Sequence, residues 1–336
     1  GSGGGGGGGD DESGGDESTT LTGSSSVSDA PIVRRRGSLE DELLTPALTD
    51  ALDQWDFDMV AFAERARGAP LFYVGLALFE RHRLVQQFGI DRDVLRNFLR
   101  KVEAGYRPNP YHNNTHAADV TQSLNFFLTT CRLAHLLQPL DVLAALFSAL
   151  VHDLDHPGRN NAFLVNTNDA LALRHNDKSV LENHHVNCAF DALREPGCNI
   201  FARLTPPQYR EVREMIIELV LATDFSRHFD MMGHFKAKHT SAEGFDIEQK
   251  EDKLLLLQVA LKCADVGHTA KSQQHHLAWT ARITDEFFAQ GDEERRRNMT
   301  ISPFSDRHTA DVAKSQTGFI QFLVMPLYSV WREQFD

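Results

Sequence analysis

Cysteine is scarce in this chain, with 4 among 336 residues. None of them, Cys131, Cys188, Cys198 or Cys263, stands in a CxxC spacing. That argues against a disulfide framework and for reduced, mostly buried thiols in a cytosolic protein. No apolar run reaches the roughly 18 residues that begin to suggest a membrane span, and the N-terminus has no signal-peptide pattern. Positive charge is in deficit: 34 Lys and Arg stand against 47 Asp and Glu, a net charge of −13. That argues against general binding to nucleic acid or a membrane surface, which needs a basic face. A small phosphate substrate stays open, because a local metal charge can dominate a site. Convincing β-alternation and internal repeats are missing too.

What is present divides unevenly. Residues 1–38 are Gly, Ser, Thr and acidic groups with almost no apolar side chains, so this stretch is expected to be a disordered tail. Residues 39–336 carry enough apolar chain for a large core and read as an all-α domain. Thr205-Pro206-Pro207-Gln208 resembles a capping box opening a helix. After it, Val212, Met215, Ile216, Leu219 and Val220 recur at helical spacing. Trp279, Ile283 and Phe287 form a second stripe, with Gly291 as its stop signal. Phe319, Phe322, Leu323 and Leu327 mark a last helix, kinked at Pro326. The segments 227–252 and 291–312 read as irregular.

Between positions 112 and 156 lie two ligand-dense stretches, Tyr111-His112-Asn113-Asn114-Thr115-His116 and His152-Asp153-Leu154-Asp155-His156. A third piece, Cys263-Ala264-Asp265, ends an apolar run downstream. Acid and imidazole are costly inside an apolar helical core unless something compensates them, and a cation is the common compensation. The i, i+4 spacing of His112 with His116, and of His152 with His156, predicts shared helix faces. His116, His152, Asp153 and Asp265 would then supply two nitrogens and two oxygens from separate helices. Asp153 is suited to bridging a second metal, as in-line displacement at phosphorus requires. One His–Asp pair alone is more often a hydrogen-bonded core residue or a cap. Three such clusters in one chain make that reading strained.

At this point the residues resemble the HD superfamily of metal-dependent phosphohydrolases, and within it the class I cyclic-nucleotide phosphodiesterases. The resemblance rests on Tyr111-His112-Asn113 with His116-Ala117-Ala118-Asp119-Val120, and on His152-Asp153-Leu154-Asp155-His156-Pro157-Gly158. Glu182-Asn183-His184-His185 and Ser315-Gln316-Thr317-Gly318-Phe319 extend it, from about Leu48 to the C-terminus. It implies Zn2+ at His116, His152, Asp153 and Asp265. It also implies Mg2+, with Mn2+ an alternative, held by Asp153 and by waters that His156, Glu182 and Thr223 help to fix. A hydroxide between the metals would attack phosphorus while His112, oriented by Glu286, protonates the leaving oxygen. The product would be a nucleoside 5′-monophosphate.

The same resemblance places Gln316 on the purine edge, Phe319 and Ile283 on the purine faces, and Tyr111 and Asn161 in the substrate pocket. Where cAMP-specific branches usually carry Asn and Tyr, this chain has His268 and His276, as in the calcium/calmodulin-regulated dual-specificity branch. Both cAMP and cGMP are therefore expected substrates. The tail lacks the apolar spacing of a calmodulin-binding helix, so that control does not follow. Family domains usually continue past the helix carrying Trp331, whereas this chain stops at Asp336, either truncated or naturally short. Arg34-Arg35-Arg36-Gly37-Ser38 resembles a site for a cAMP-dependent-type kinase, although Ser38 with Asp41 also fits a helix N-cap. A homodimer is a further family expectation. A catalytically inactive nucleotide-binding module and a phosphohydrolase of linear nucleotides are the competing readings.

Overall fold

Local capping chemistry starts the helices that build the site. In this computed structural model, which describes residues 38–131 and 133–335, the principal helices are α1 (Pro70–Arg81), α2 (Arg92–Gly105), α3 (Asn114–Thr129), α4 (Pro139–Val151), α5 (Val180–Arg194), α6 (Pro206–Leu221), α7 (His228–His239), α8 (Lys250–Asp265), α9 (Gln273–Arg296), α10 (Val312–Phe319) and α11 (Met325–Phe335). Asn113 caps α3 by accepting from the amides of Thr115 and His116. Thr205 caps α6 in the capping box that its sequence predicts, with Gln208 reaching back. No strand occurs among the described residues, so the all-α expectation holds. The expected tail before Ser38, with its arginine run, lies outside the described residues. Ser38 itself caps a short helix, Leu39–Leu43, in a box with Asp41.

The centre of residues 37–336 is α4, on which every residue from Leu140 to Val151 is buried. A helix apolar around its whole circumference must be surrounded, and α4 packs against both α3 and α6, while α8 also packs against these two. Phe98 of α2 stacks on Phe147 of α4 at 5.3 Å. Val212, Met215, Ile216, Leu219 and Val220 of α6 are all buried, as their spacing predicts. Each such side chain contributes roughly 1.5–3 kcal/mol by leaving water. The result brings the first turn of α3 to the C-terminal ends of α4 and α8. No helix among the described residues is long and apolar enough to cross a membrane.

Three local expectations fail, each for a packing reason. The polar stretch from Arg227 is not a loop throughout: His228–His239 forms α7, anchored by buried His228, Met231 and Phe235. Gly291 does not stop a helix, because α9 continues to Arg296. It is glycine because another backbone crosses there: a Cβ would stand 1.8 Å from the Ser305 carbonyl oxygen. In the last helix Phe322 is 72% exposed, off the stripe assigned to it. The turn Ile320–Val324 ahead of Pro326 is π-helical. Proline offers no N–H to the preceding turn, and the wider turn absorbs the missing bond.

Candidate functional site

The meeting of α3, α4 and α8 gathers four side chains able to ligate a metal ion. His116 lies in the first turn of α3, His152 caps the end of α4 with Asp153 after it, and Asp265 ends α8. His152 Nδ1 donates to the Ala149 carbonyl at 2.9 Å, which turns Nε2 inward. His116 Nε2 stands 3.4 Å from His152 Nε2, 3.4 Å from Asp153 Oδ2 and 3.2 Å from Asp265 Oδ1. His152 Nε2 stands 3.1 Å from Asp153 Oδ2 and 3.5 Å from Asp265 Oδ1. A tetrahedral shell of N and O ligands at about 2.1 Å places neighbouring donors about 3.4 Å apart. The donor set and its spacing therefore fit one divalent cation. Burial pushes both carboxyls up, but the facing imidazoles, His152 foremost at Asp153, hold them well below the usual range. Both are thereby held in the ionised form that metal ligation requires.

His112 and His156 do not share helix faces with His116 and His152. The chain turns at the Asn113 cap and again at Asp155, which is left-handed at φ 61. The two turns stack His112 on His156, with ring centroids 4.0 Å apart. His112 Nδ1 pairs with Glu286 Oε1, while Glu286 Oε2 accepts from the backbone amides of Tyr111 and His112 at 3.0 Å each. Burial lowers the His112 imidazole, yet Glu286 and then Asp153 outweigh it and carry the ring up to about 9. Burial likewise opposes ionisation of Glu286, and His112 overrides it, down to about 2. His112 is thus an imidazolium at neutral pH, 5.9 Å from the His116 ring. Burial holds His156, beside it, in the neutral form.

Glu182 is held by Asn161, and the charge of Asp224, the residue after Thr223, acts on it. Asn161 Nδ2 donates to Glu182 at 3.0 and 3.3 Å, and its Oδ1 accepts from the Leu181 amide. Asn161, expected at the substrate, is therefore engaged in orienting Glu182. Burial and the charge of Asp224 raise Glu182 to about 7. Thr223 donates its hydroxyl to the Val220 carbonyl at 2.8 Å. Its own carbonyl accepts from Lys262, whose ammonium lies 3.9 Å over the Phe225 ring.

The side chains expected at the purine lie in two groups. His268 stacks on His276 at 5.6 Å, and its ring is 5.8 Å from Tyr111, which in turn lies 4.4 Å from His116. Phe319, on α10, meets Phe225 at 6.1 Å. Ile283 and Phe319 are both half-buried against the core. Gln316 Oε1, His268 Nδ1 and His276 Nδ1 are buried and have no hydrogen-bond partner among the described residues.

Several residues escaped the sequence argument. Asn109 donates to the carbonyls of His112 at 2.9 Å and of His156 at 2.6 Å, tying the two turns together. Its side chain leaves no room for a Cβ at Gly158, which has φ +68. The Pro108-Asn109-Pro110 sequence before the motif was the available signal. His185 Nε2 faces the second oxygen of Asp153 at 3.7 Å. The buried Lys262 and its partner Phe225 had no signal short of the fold. Ser38, expected as a kinase site, donates its hydroxyl to Asp41 at 2.9 Å and is exposed.

A family model described as 3'5'-cyclic nucleotide phosphodiesterase matches residues 111–336. The chain is 40% identical over 300 residues to the 3',5'-cyclic-AMP phosphodiesterase 4C of Rattus norvegicus, across 88% of this chain and 56% of that protein. It is also 40% identical to the 3',5'-cyclic-AMP phosphodiesterase, isoform F, of Drosophila melanogaster, across 45% of that protein. The chain spans about half the length of the curated relatives it matches. Its fold matches the crystal structure of the phosphodiesterase domain of the RhoPDE fusion protein from the choanoflagellate Salpingoeca rosetta. That match has a TM-score of 0.79 at 33% identity, across 88% of this chain and 91% of that one.

Proposed function

The chain belongs to the 3'5'-cyclic nucleotide phosphodiesterase family, and from that premise we propose that it hydrolyses the 3′ phosphoester of cAMP, and of cGMP as well, to the nucleoside 5′-monophosphate. One observation carries this reading: an imidazole paired with a buried carboxylate, His112 on Glu286, beside the four-donor cluster of His116, His152, Asp153 and Asp265. Zn2+ on that cluster and Mg2+ or Mn2+ beside Asp153 would, when bound, supply Lewis-acid charge to the phosphate oxygens and acidify water.

The chain's own residues supply the rest. Water attacks phosphorus and releases one proton to solvent, the bond from phosphorus to O3′ breaks, and O3′ takes a proton as it leaves. His112 gives its Nδ1–H to Glu286 and so presents Nε2–H to the leaving oxygen. Glu286 fixes the ring both directly and through the amides of Tyr111 and His112. Asn109 keeps the His112 and His156 turns in register. Glu182, set by Asn161, and Thr223 would order water beside Asp153, with His156 kept neutral next to the acid. Gln316 would read the purine edge, with Phe319 and Ile283 on its faces.

Cleavage of cAMP is supported by the names of the relatives. Cleavage of cGMP is supported by Gln316, His268 and His276. Their buried, unpartnered atoms leave the Gln316 amide unfixed, so it can present donor and acceptor in either order. Release of 5′-AMP and 5′-GMP, measured side by side with Mg2+ for wild type and Asp153→Ala, tests both. Turnover of both nucleotides, abolished by the substitution, is expected. A preference above about a hundredfold, some 2.7 kcal/mol, would sink the dual-specificity part alone. No turnover by folded, metal-loaded protein would favour an inactive binding module.

A cytosolic location is proposed on the free state of all four cysteines. Homodimerisation and phosphorylation of Ser38 by a cAMP-dependent-type kinase are proposed from the family resemblance and the Arg34–Arg36 run. Sedimentation decides the first, and phosphate incorporation into wild type against Ser38→Ala decides the second.

A further inference from the structure

A second set of metal-ligating side chains lies outside the site above. Asp155 stands in the turn after Asp153, and His184 and Cys188 stand on α5. Their i, i+4 spacing puts imidazole and thiol on one helix face. His184 Nε2 is 2.8 Å from Asp155 Oδ2 and 3.5 Å from Cys188 Sγ. Ligand atoms of all three lie within 4.8 Å of one another.

A Cys–His–Asp trio invites comparison with a nucleophile relay, and the geometry rejects it. A relay uses the two ring nitrogens separately, one for the carboxylate and the other for the thiol. Here Nε2 alone faces both partners, and Nδ1 stands farther from the sulfur, at 3.8 Å. Burial, with Asp155 and Asp191, pushes the thiol up to about 11, the opposite of an activated nucleophile. Donors that converge on one point are instead arranged to share a cation there.

The spacing fits a cation with affinity for sulfur. A tetrahedral shell with nitrogen at about 2.1 Å and sulfur at about 2.3 Å sets them about 3.6 Å apart, close to the 3.5 Å observed. The nitrogen–oxygen pair is a hydrogen bond now and must open by about 0.6 Å to share a cation. Asp155 has that freedom, since 34% of its side chain is exposed. Arg107 grips the carboxylate through Nε at 2.6 Å and Nη2 at 3.0 Å. Such a partner orients a ligating carboxylate, while its charge weakens the hold on a dication. The ligand charge from Asp155 and the thiolate exceeds that of Arg107. Thiol and imidazole together select Zn2+-like ions over Mg2+.

We propose that Asp155, His184 and Cys188 form a binding site for a borderline divalent cation of the Zn2+ class, separate from the cluster of His116, His152, Asp153 and Asp265. On binding, the S–H bond of Cys188 gives way to a sulfur–metal bond and its proton goes to solvent. The hydrogen on His184 Nε2 moves to Nδ1, freeing Nε2 as a ligand. The site ties the turn carrying Asp153 and Asp155 to α5.

Co2+ is the probe, because thiolate-to-cobalt charge transfer absorbs in the near-ultraviolet and the other cluster contains no sulfur. The full chain is titrated with Co2+, with bound ion counted by equilibrium dialysis. A near-ultraviolet band is expected in wild type, lost together with one bound ion in Cys188→Ser and retained in Cys131→Ser. In unmutated protein, Zn2+ should slow alkylation of Cys188 by iodoacetamide, read on its own peptide by mass spectrometry. No band at saturating Co2+, a band that survives Cys188→Ser, or alkylation of Cys188 at the same rate with and without Zn2+ would each overturn the proposal.

Discussion

Replacing Glu286 by Gln removes one charge and almost no volume from beside His112. Burial by itself depresses this imidazole below its usual 6.5, and the charges of Glu286 and Asp153 carry it up to about 9. A cation held by Asp153 and Asp265 would cancel their shares, so the lift that survives in loaded protein comes from Glu286. Without Glu286 the ring returns to about 6.5 or lower. At about pH 7.5 a group titrating near 9 is almost wholly protonated, whereas one near 6.5 is protonated in roughly a tenth of molecules. Lost protonation alone therefore costs about tenfold in kcat, and looser orientation moves the loss towards the 10²–10⁴ typical of a missing general acid. The assay is steady-state 5′-AMP release from about pH 6 to 9 with saturating Mg2+. The alkaline limb should move to lower pH, and part of the lost rate should return as the pH is lowered. A loss by the same factor at every pH would refute the charge argument and leave only a geometric one. Stability carries the same sign. Because the folded state raises this pKa, the pair's contribution is whole below about pH 6.5 and fades as pH climbs towards 9. Thermal melts of Glu286→Gln should show that fading flattened.

Gly291→Ala would drive a methyl group into the Ser305 backbone, where 1.8 Å of space remains. A loss of about 3 kcal/mol or more is expected in denaturant unfolding, and an unchanged midpoint would show the crossing to be soft. Lys271 is fully buried on Asp119 at 2.6 Å, so Lys271→Met strands a carboxylate and should cost about 3–5 kcal/mol. Adding Asp119→Leu should return much of that in the same unfolding assay; a double variant no more stable than Lys271→Met would count against the pair. Zn2+ added to chelator-treated protein at a hundredfold excess over Kd should stabilise it by about 2.7 kcal/mol and so raise its melting temperature. Asp265→Ala should lose most of that rise, and an equal rise in both proteins would place the stabilising ion elsewhere.

The motif residues carried their identity in the linear order. His116, His152, Asp153 and Asp265 were legible as candidate ligands because ionisable groups bordering apolar helical runs demand compensation, and the fold brings the four together. The all-α class and the start of α6 were legible for a different reason. Caps and helical periodicity act within a few residues, and tertiary packing did not override them at Thr205 or along Val212–Val220. Where packing did override, the reading failed. Gly291 looked like a stop signal, but its lack of a side chain serves a crossing by Ser305, a residue made adjacent only by the fold. The polar run after Arg227 became a helix because Met231 and Phe235 found a core to enter.

The sequence by itself determined which side chains could bind a cation and which segments coil, since those depend on side-chain chemistry and near neighbours along the chain. Only the tertiary structure decided that His112 leaves the face of His116, stacks on His156 and takes its charge from Glu286. Its charge state rests on groups far apart in the chain that come within hydrogen-bonding reach. The same holds for Glu182 oriented by Asn161, for Lys262 over Phe225 and for the convergence of Asp155 with His184 and Cys188. A charge in a low-dielectric interior is set by what lies a few ångströms away, and that distance is a property of the fold.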